Sequence, residues 1–182
     1  MASKSTPELD LLFPQELIPS DVTKELPLGL IVRRFPCPGP HMSMFLQMRP
    51  LASTDYRRGH FAVLSVLTVV NDLGEDAWVA QFEAMRAMPK TYYSIVIVDQ
   101  ATDKIIGTGT VFAERKFIRG LGTVGHIEDI AVDKNQQGKK LGLRVIQALT
   151  HISESIGCYK TILNCNDDNV GEWTRLVRFC HG

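Results

Sequence analysis

The order of periodic segments predicts an α+β fold arranged as a three-layer αβα domain. Two amphipathic helical stretches precede three consecutive strand-like runs that read as an antiparallel meander. A glycine-bearing loop then opens another amphipathic helix, and a short apolar run follows it, so that one crossover helix joins the last two strands. A chain of 182 residues with 45% apolar content is ample for a single buried core.

The elements follow in order. Residues 1–27 form an N-terminal extension, in which Pro7 to Pro14 reads as a short peripheral helix or turn. The domain proper runs over 28–182. Leu28 to Arg33 has strand character, but Pro36, Pro38, Gly39 and Pro40 break it, and an irregular insert is expected over 34–49. Ser53 or Thr54 can cap a helix running from Asp55 to Leu67, with Phe61, Leu64, Val66 and Leu67 on its apolar face. A second helix is expected from Asp72 to Met88, where Trp78, Phe82 and Met85 recur at helical spacing as a core stripe and Pro89 stops it. Tyr92 to Val98 is rich in aromatic and β-branched residues. Asp99 to Lys104 reads as a hairpin loop, Ile105 to Ile118 as the returning strand and Thr123 to Asp133 as the third. Leu143, Val145, Ile146, Leu149, Ile152 and Ile156 mark the helix that Gly157 ends, and Tyr159 to Asn164 is the last strand.

Composition excludes several classes. The 20 basic and 20 acidic side chains balance, so no general attraction to nucleic acid or to a membrane is expected, and any anion site must come from local clustering. Cys37, Cys158, Cys165 and Cys180 form no CxxC pair, which points to reduced thiols and no metal. No signal core or membrane-spanning stretch is present, and cytoplasm is the default location.

The chemistry concentrates around Gln137-Gly138-Lys139-Lys140-Leu141-Gly142. Glycines let the backbone approach closely, unpaired amides at a helix start face an anion, and two lysines add charge. An anion cradle and an ordinary helix start are both compatible with this spacing. Gly107-Thr108-Gly109 is different, because it lies inside a strand and lacks a third glycine; it reads as a β-bulge or packing site. His60 and His151 fall within helices as polar-face or satisfied residues, whereas His126 is the histidine worth mutating.

These motifs carry a resemblance. Gln137 to Gly142 looks like the [QR]-x-x-[G/A]-x-[G/A] acetyl-CoA motif of the GNAT superfamily of N-acetyltransferases, with Lys140 where many members have glycine. Glu114-Arg115-Lys116-Phe117-Ile118, Gly125 to Val132 and Cys158 to Leu163 resemble its glucosamine 6-phosphate N-acetyltransferase branch, from about Pro50 to Gly171. The resemblance implies the GNAT fold, with a mixed and mostly antiparallel sheet, and acetyl-CoA as co-substrate. Ile130, Ala131 and Val132 would offer strand backbone to the pantetheine arm, amides of Gln137, Gly138, Lys139, Lys140, Leu141 and Gly142 would hold the pyrophosphate, and Asn169 would join the cofactor site. Glu128, Asp129 and Asn164 take the catalytic role of orienting the amine and accepting its hydrogens. Ser53, Arg115, Lys116, Phe117, Ile118 and Ile127, with the same Glu128, Asp129 and Asn164, would bind a sugar phosphate, and a homodimer is implied.

Two segments depart from the branch. Residues 34–49 interrupt it, and 172–182 replace two terminal strands, placing Trp173 where the family has a tyrosine near the coenzyme sulfur. Codons for Gly171-Glu172-Trp173 can contain GTGAGT, and those for Phe45-Leu46-Gln47 can form a pyrimidine tract ending in CAG. Both segments are therefore expected to be translated introns. Three readings stay open: an acetyltransferase acting on glucosamine 6-phosphate in UDP-N-acetylglucosamine biosynthesis, one with another amine acceptor, and an acetyl-CoA-binding chain without turnover.

Overall fold

A computed structural model describes residues 9–24 and 46–163. Five strands form one sheet in the order β1-β2-β3-β4-β5: Leu46–Pro50, Tyr92–Asp99, Lys104–Arg115, Thr123–Val132 and Cys158–Leu163. The first three pairings are antiparallel and the β4/β5 pairing is parallel. A parallel pair needs a crossover, and α5 (Leu141–Ser155) supplies it. Strand alternation sorts the layers. The Cβ direction of Gly109 meets Val145 and Leu149 of α5, so its neighbours Thr108 and Thr110 face the other way, towards α2 (His60–Leu64) and α3 (Glu75–Arg86). Strand β2 is covered on both sides, which is why Tyr93 to Asp99 is buried throughout and reads as a continuous apolar run. The predicted α+β architecture, helices flanking a mixed sheet, is the one observed.

Several boundaries differ from expectation. Residues 46–49 are not irregular: they form β1 against β2, with Met48 and Arg49 buried. The preceding prolines masked a strand of only five residues. The expected strand at Leu28 to Arg33, residues 34–45 and the tail at 172–182 lie outside the described residues.

The helix expected from Asp55 to Leu67 is five residues long and begins after Gly59, whose φ of 84° no preceding helical residue could follow. Its competitor is the carboxylate of Asp55. Fully buried, Asp55 accepts two bonds from Arg49 at 2.7 Å each and one from the amide of Ala52 at 2.8 Å, so it anchors the end of β1. Residues 53–59 therefore fold as successive turns, with neither Ser53 nor Thr54 as cap.

Helix α3 starts three residues later than expected, because Asp72 accepts from the Gly74 amide instead of opening the helix. At the other end, the segment around Leu12 is extended alongside Leu51 and Ala52, burying Leu12 and Phe13, and is no peripheral helix; the short helix α1 (Ser20–Lys24) follows it. Strand β3 stops at Arg115, and Phe117 to Leu121 belongs to a tight turn instead, with α4 at Ile118–Leu121.

Candidate active site

The site begins with an interruption in β4. Thr110 faces Glu128 and Thr108 faces Ala131, so Gly109 alone opposes both Asp129 and Ile130. This is a β-bulge, and Asp129 absorbs it at φ 56°, a left-handed conformation that aspartate tolerates better than most residues. Gly109 is required opposite it. A Cβ there would lie 2.5 Å from Val145 Cγ1 and 2.6 Å from Ile130 Cδ1, so the glycine pair read in the sequence as a packing site is one.

Among the described residues the β4/β5 pairing runs to Ile127 and Leu163, and none pairs with the β5-facing edge of Glu128 to Val132. Backbone donors and acceptors on that edge can bind an extended ligand as an added strand. Because Ala131 is buried and Ile130 packs beneath Gly109, these residues can offer main chain only.

After β4, Asp133 accepts from the amide of Asn135 at 2.8 Å, and Lys134–Gln136 makes one turn of 3₁₀ helix. Gly138 and Lys140 then take positive φ, 79° and 60°, and α5 starts at Leu141. Left-handed residues alternating in this way turn successive amides into a concave nest, and the first turn of a helix leaves further amides without intrahelical partners. Lys139 Nζ is bonded to Gln136 Oε1 at 2.6 Å. The Leu141 side chain is core, so it too contributes only its amide. The surface therefore fits a pyrophosphate, with a strand edge unpaired among the described residues leading away from it.

On the α2/α3 face, Asp129 lines a cavity of about 370 Å³ walled by Leu51, Phe61, Leu64, Trp78, Phe82 and Met85. Sequence reasoning assigned the Trp78 stripe to the core and missed that it also forms this wall. The hint lay in His60. Trp78 Nε1 donates to His60 Nδ1 at 3.2 Å, and His60 Nε2 lies 3.3 Å from Thr108 Oγ1, whose hydroxyl donates to the Ile95 carbonyl at 3.0 Å. Burial of the ring holds His60 down at about 4, with only partial compensation from Asp55. His60 is a satisfied residue, as the sequence suggested.

The cationic cluster lies elsewhere. Arg115 faces Thr123 while Thr110 faces Glu128, so five residues of strand, roughly 17 Å, separate the two along the ladder. Lys116 pairs with Glu114, which also binds His126 Nε2 at 2.9 Å, and these two contacts draw the Glu114 carboxyl below its ordinary range. Phe117 and Ile118 are exposed, and Ser53 sits near Leu51 with its amide on Asp10. Among the described residues one chain thus brings together the bulge, the unpaired edge and the nest, but not the phosphate pocket expected from Arg115 and Lys116. Asn164 and Asn169 fall outside the described residues.

Comparison with known proteins decides the family. A model of the acetyltransferase (GNAT) family matches residues 53–176. Glucosamine 6-phosphate N-acetyltransferase 1 of Dictyostelium discoideum is 42% identical over 125 residues, covering 69% of this chain and 79% of that one. This chain belongs to the GNAT acetyltransferase family. The Candida albicans glucosamine 6-phosphate N-acetyltransferase is 39% identical, covering 68% of this chain and 82% of that protein. The crystal structure of the Arabidopsis thaliana enzyme superposes with a TM-score of 0.70 at 35% identity, over 72% of this chain and 89% of that one. GNAT acetyltransferases use acetyl-CoA as co-substrate, and the nest with its adjoining strand edge is a surface suited to it.

Proposed function

We propose that this chain transfers the acetyl group of acetyl-CoA to the amine of D-glucosamine 6-phosphate, giving N-acetyl-D-glucosamine 6-phosphate and CoA. The observation that carries the chemistry is the left-handed Asp129 at the β4 bulge, next to a strand edge that no described residue pairs and a nest of amides. The acceptor rests on similarity of about 40% to several glucosamine 6-phosphate N-acetyltransferases.

In this reading the nest of Gln137 to Gly142 holds the pyrophosphate, and Ile130, Ala131 and Val132 bind the pantetheine arm through their backbone. That fixes the thioester carbonyl beside the bulge, where a backbone amide stabilises the oxyanion as the neutral amine attacks. Asp129 and Glu128 orient the amine and accept its hydrogens. Asn164, Asn169 and Ser53 complete the site by family resemblance.

The phosphate of the sugar needs cations, and among the described residues no lysine or arginine lines the cavity at the bulge. A homodimer, in which Arg115, Lys116, Phe117 and Ile118 of a second copy reach the bulge, reconciles the separation of the two clusters. We place the reaction in the cytoplasm, on the way to UDP-N-acetylglucosamine; no helix among the described residues is long and apolar enough to cross a membrane.

The test compares CoA release with glucosamine and with its 6-phosphate. The phosphate ester is expected to be preferred by at least about 100-fold in kcat/KM, in keeping with the loss of one charge-assisted contact set worth roughly 3 kcal/mol. Equal rates with both sugars, or a preference for a polyamine or peptide amine, would refute the acceptor.

A further inference from the structure

Of the cations around the turn that joins β3 to β4, one is tied back to the sheet. Arg115 is exposed, and the Arg119 guanidinium lies over the Tyr159 ring, 6.0 Å from its centroid. Lys116 is held differently. Its backbone amide donates to the Gly122 carbonyl at 2.8 Å, which closes the base of the turn and fixes where the side chain begins. Its ammonium pairs with Glu114 Oε1, while Glu114 Oε2 lies 2.9 Å from His126 Nε2. Each carboxylate oxygen therefore has its own partner.

The far end of this set of contacts is anchored in three strands. Lys116 and His126 keep Glu114 ionised, and an ionised carboxylate can only accept, so His126 Nε2 carries a proton and donates it to Glu114. The His126 ring lies flat on Phe112, its partner across β3, with centroids 4.7 Å apart and planes 8° from parallel. Phe112 meets Tyr92 of β2 at 6.5 Å, and Ile162 of β5 flanks His126 on its other side. The sheet thus sets the plane of the imidazole, the imidazole orients the carboxylate, and the carboxylate orients the ammonium. A lysine that must be ordered at the moment it binds an anion loses affinity, and one ordered beforehand does not. With one donor on Glu114, the Lys116 ammonium keeps two for a phosphate, and its side chain is 32% exposed, so a phosphate can reach it.

We propose that His126 is a positioning residue for the sugar phosphate: through Glu114 it holds Lys116 in the conformation that meets the phosphate. This rests on the reading of Lys116 as a cation that serves the sugar site of a second copy. His126 itself touches neither the sugar nor acetyl-CoA, so its effect falls on recognition of the phosphate and not on the chemical step.

Two substitutions in the full chain test this by CoA release. His126→Phe keeps a ring on Phe112 and removes the donor, whereas His126→Gln restores an N–H near the place of Nε2. His126→Phe is expected to raise KM for glucosamine 6-phosphate by roughly three- to tenfold, the cost of ordering one lysine on binding, with kcat within about twofold. His126→Gln is expected to bring KM back to within about twofold of the parent, and both variants to leave kcat/KM for unphosphorylated glucosamine within about twofold, a selectivity that a loosened fold would not produce. Added to Lys116→Ala, His126→Phe is expected to have no further effect, because the group it positions is gone. A KM rise that persists in Lys116→Ala, or a parallel loss with both sugars, overturns the positioning role. If the parent chain prefers the phosphate ester and His126→Phe leaves KM unchanged, this inference alone fails. If the parent chain shows no such preference, the acceptor assignment fails and takes this inference with it.

Discussion

In the proposed reaction Asp129 would satisfy two demands at once, a left-handed backbone and a carboxylate at the reacting amine. Only aspartate and asparagine combine tolerance of that backbone with a short polar side chain. Asp129→Asn separates the demands: it keeps the conformation, so urea stability is expected to change by less than about 0.5 kcal/mol, while kcat falls by about 100-fold or more as the charge that accepts the amine hydrogen is lost. A variant that retains full kcat would remove Asp129 from the chemistry, and one that unfolds would show that asparagine does not keep the left-handed backbone. His60 acts on stability instead. Its folded value near 4 lies below the 6.5 of an unfolded histidine, so below pH 6.5 the unfolded chain binds a proton that the folded chain refuses, and stability is lost as pH falls towards 4. Between pH 7 and 4.5 the native chain is expected to lose roughly 2–3 kcal/mol more than His60→Phe, read as the difference in pH dependence of the two urea midpoints. Parallel curves would show that His60 is not held neutral.

At the scale of elements, the bulge depends on what β3 leaves out. Gly109 permits Ile130 and Val145 to close over the strand, and Gly109→Ala is expected to cost about 1–3 kcal/mol, because a methyl at 2.5–2.6 Å from both must displace fully packed neighbours. A chemical-denaturation midpoint unchanged by that substitution would mean that the packing relaxes freely. The sequence disclosed this glycine as structural, along with the three long strands and the crossover helix, since each of them carries its periodicity over many residues. It concealed β1, whose five residues follow a proline-rich stretch, and it overextended α2. No local pattern announces that Asp55 will turn inward to Arg49; that bond pairs a loop with a strand, and only the folded chain brings them together. The same limit hid the cavity. Trp78, Phe82 and Met85 have the spacing of a core stripe, and spacing cannot tell a filled core from a wall with space behind it. Asp129, Gly138 and the helix start after Lys140 were legible because a motif and a strand end adjoin in sequence.

For the molecule as a whole, the turn after β3 is the part least explained by one chain. Phe117 is 96% exposed, Ile118 66% and Leu121 72%, and Arg119, Gly120 and Leu121 all have positive φ. Apolar side chains held out on a strained turn lose free energy unless something covers them. The same turn adjoins Arg115 and Lys116, cations of the kind that no described residue lining the cavity at the bulge supplies. The proposed homodimer would answer both needs: a second copy would cover the turn, and the turn in exchange would present its cations to that copy's bulge. Such an exchange is self-complementary, as a two-fold dimer requires. Phe117→Ser combined with Leu121→Ser is then expected to yield a monomer by sedimentation at micromolar concentration. It should raise KM for glucosamine 6-phosphate by about tenfold or more, and leave acetyl-CoA affinity within about twofold, because the nest and the β4 edge lie in the same chain. Loss of acetyl-CoA affinity in parallel would point to unfolding. A dimer that persists with unchanged KM would show that the turn serves neither the interface nor the sugar site.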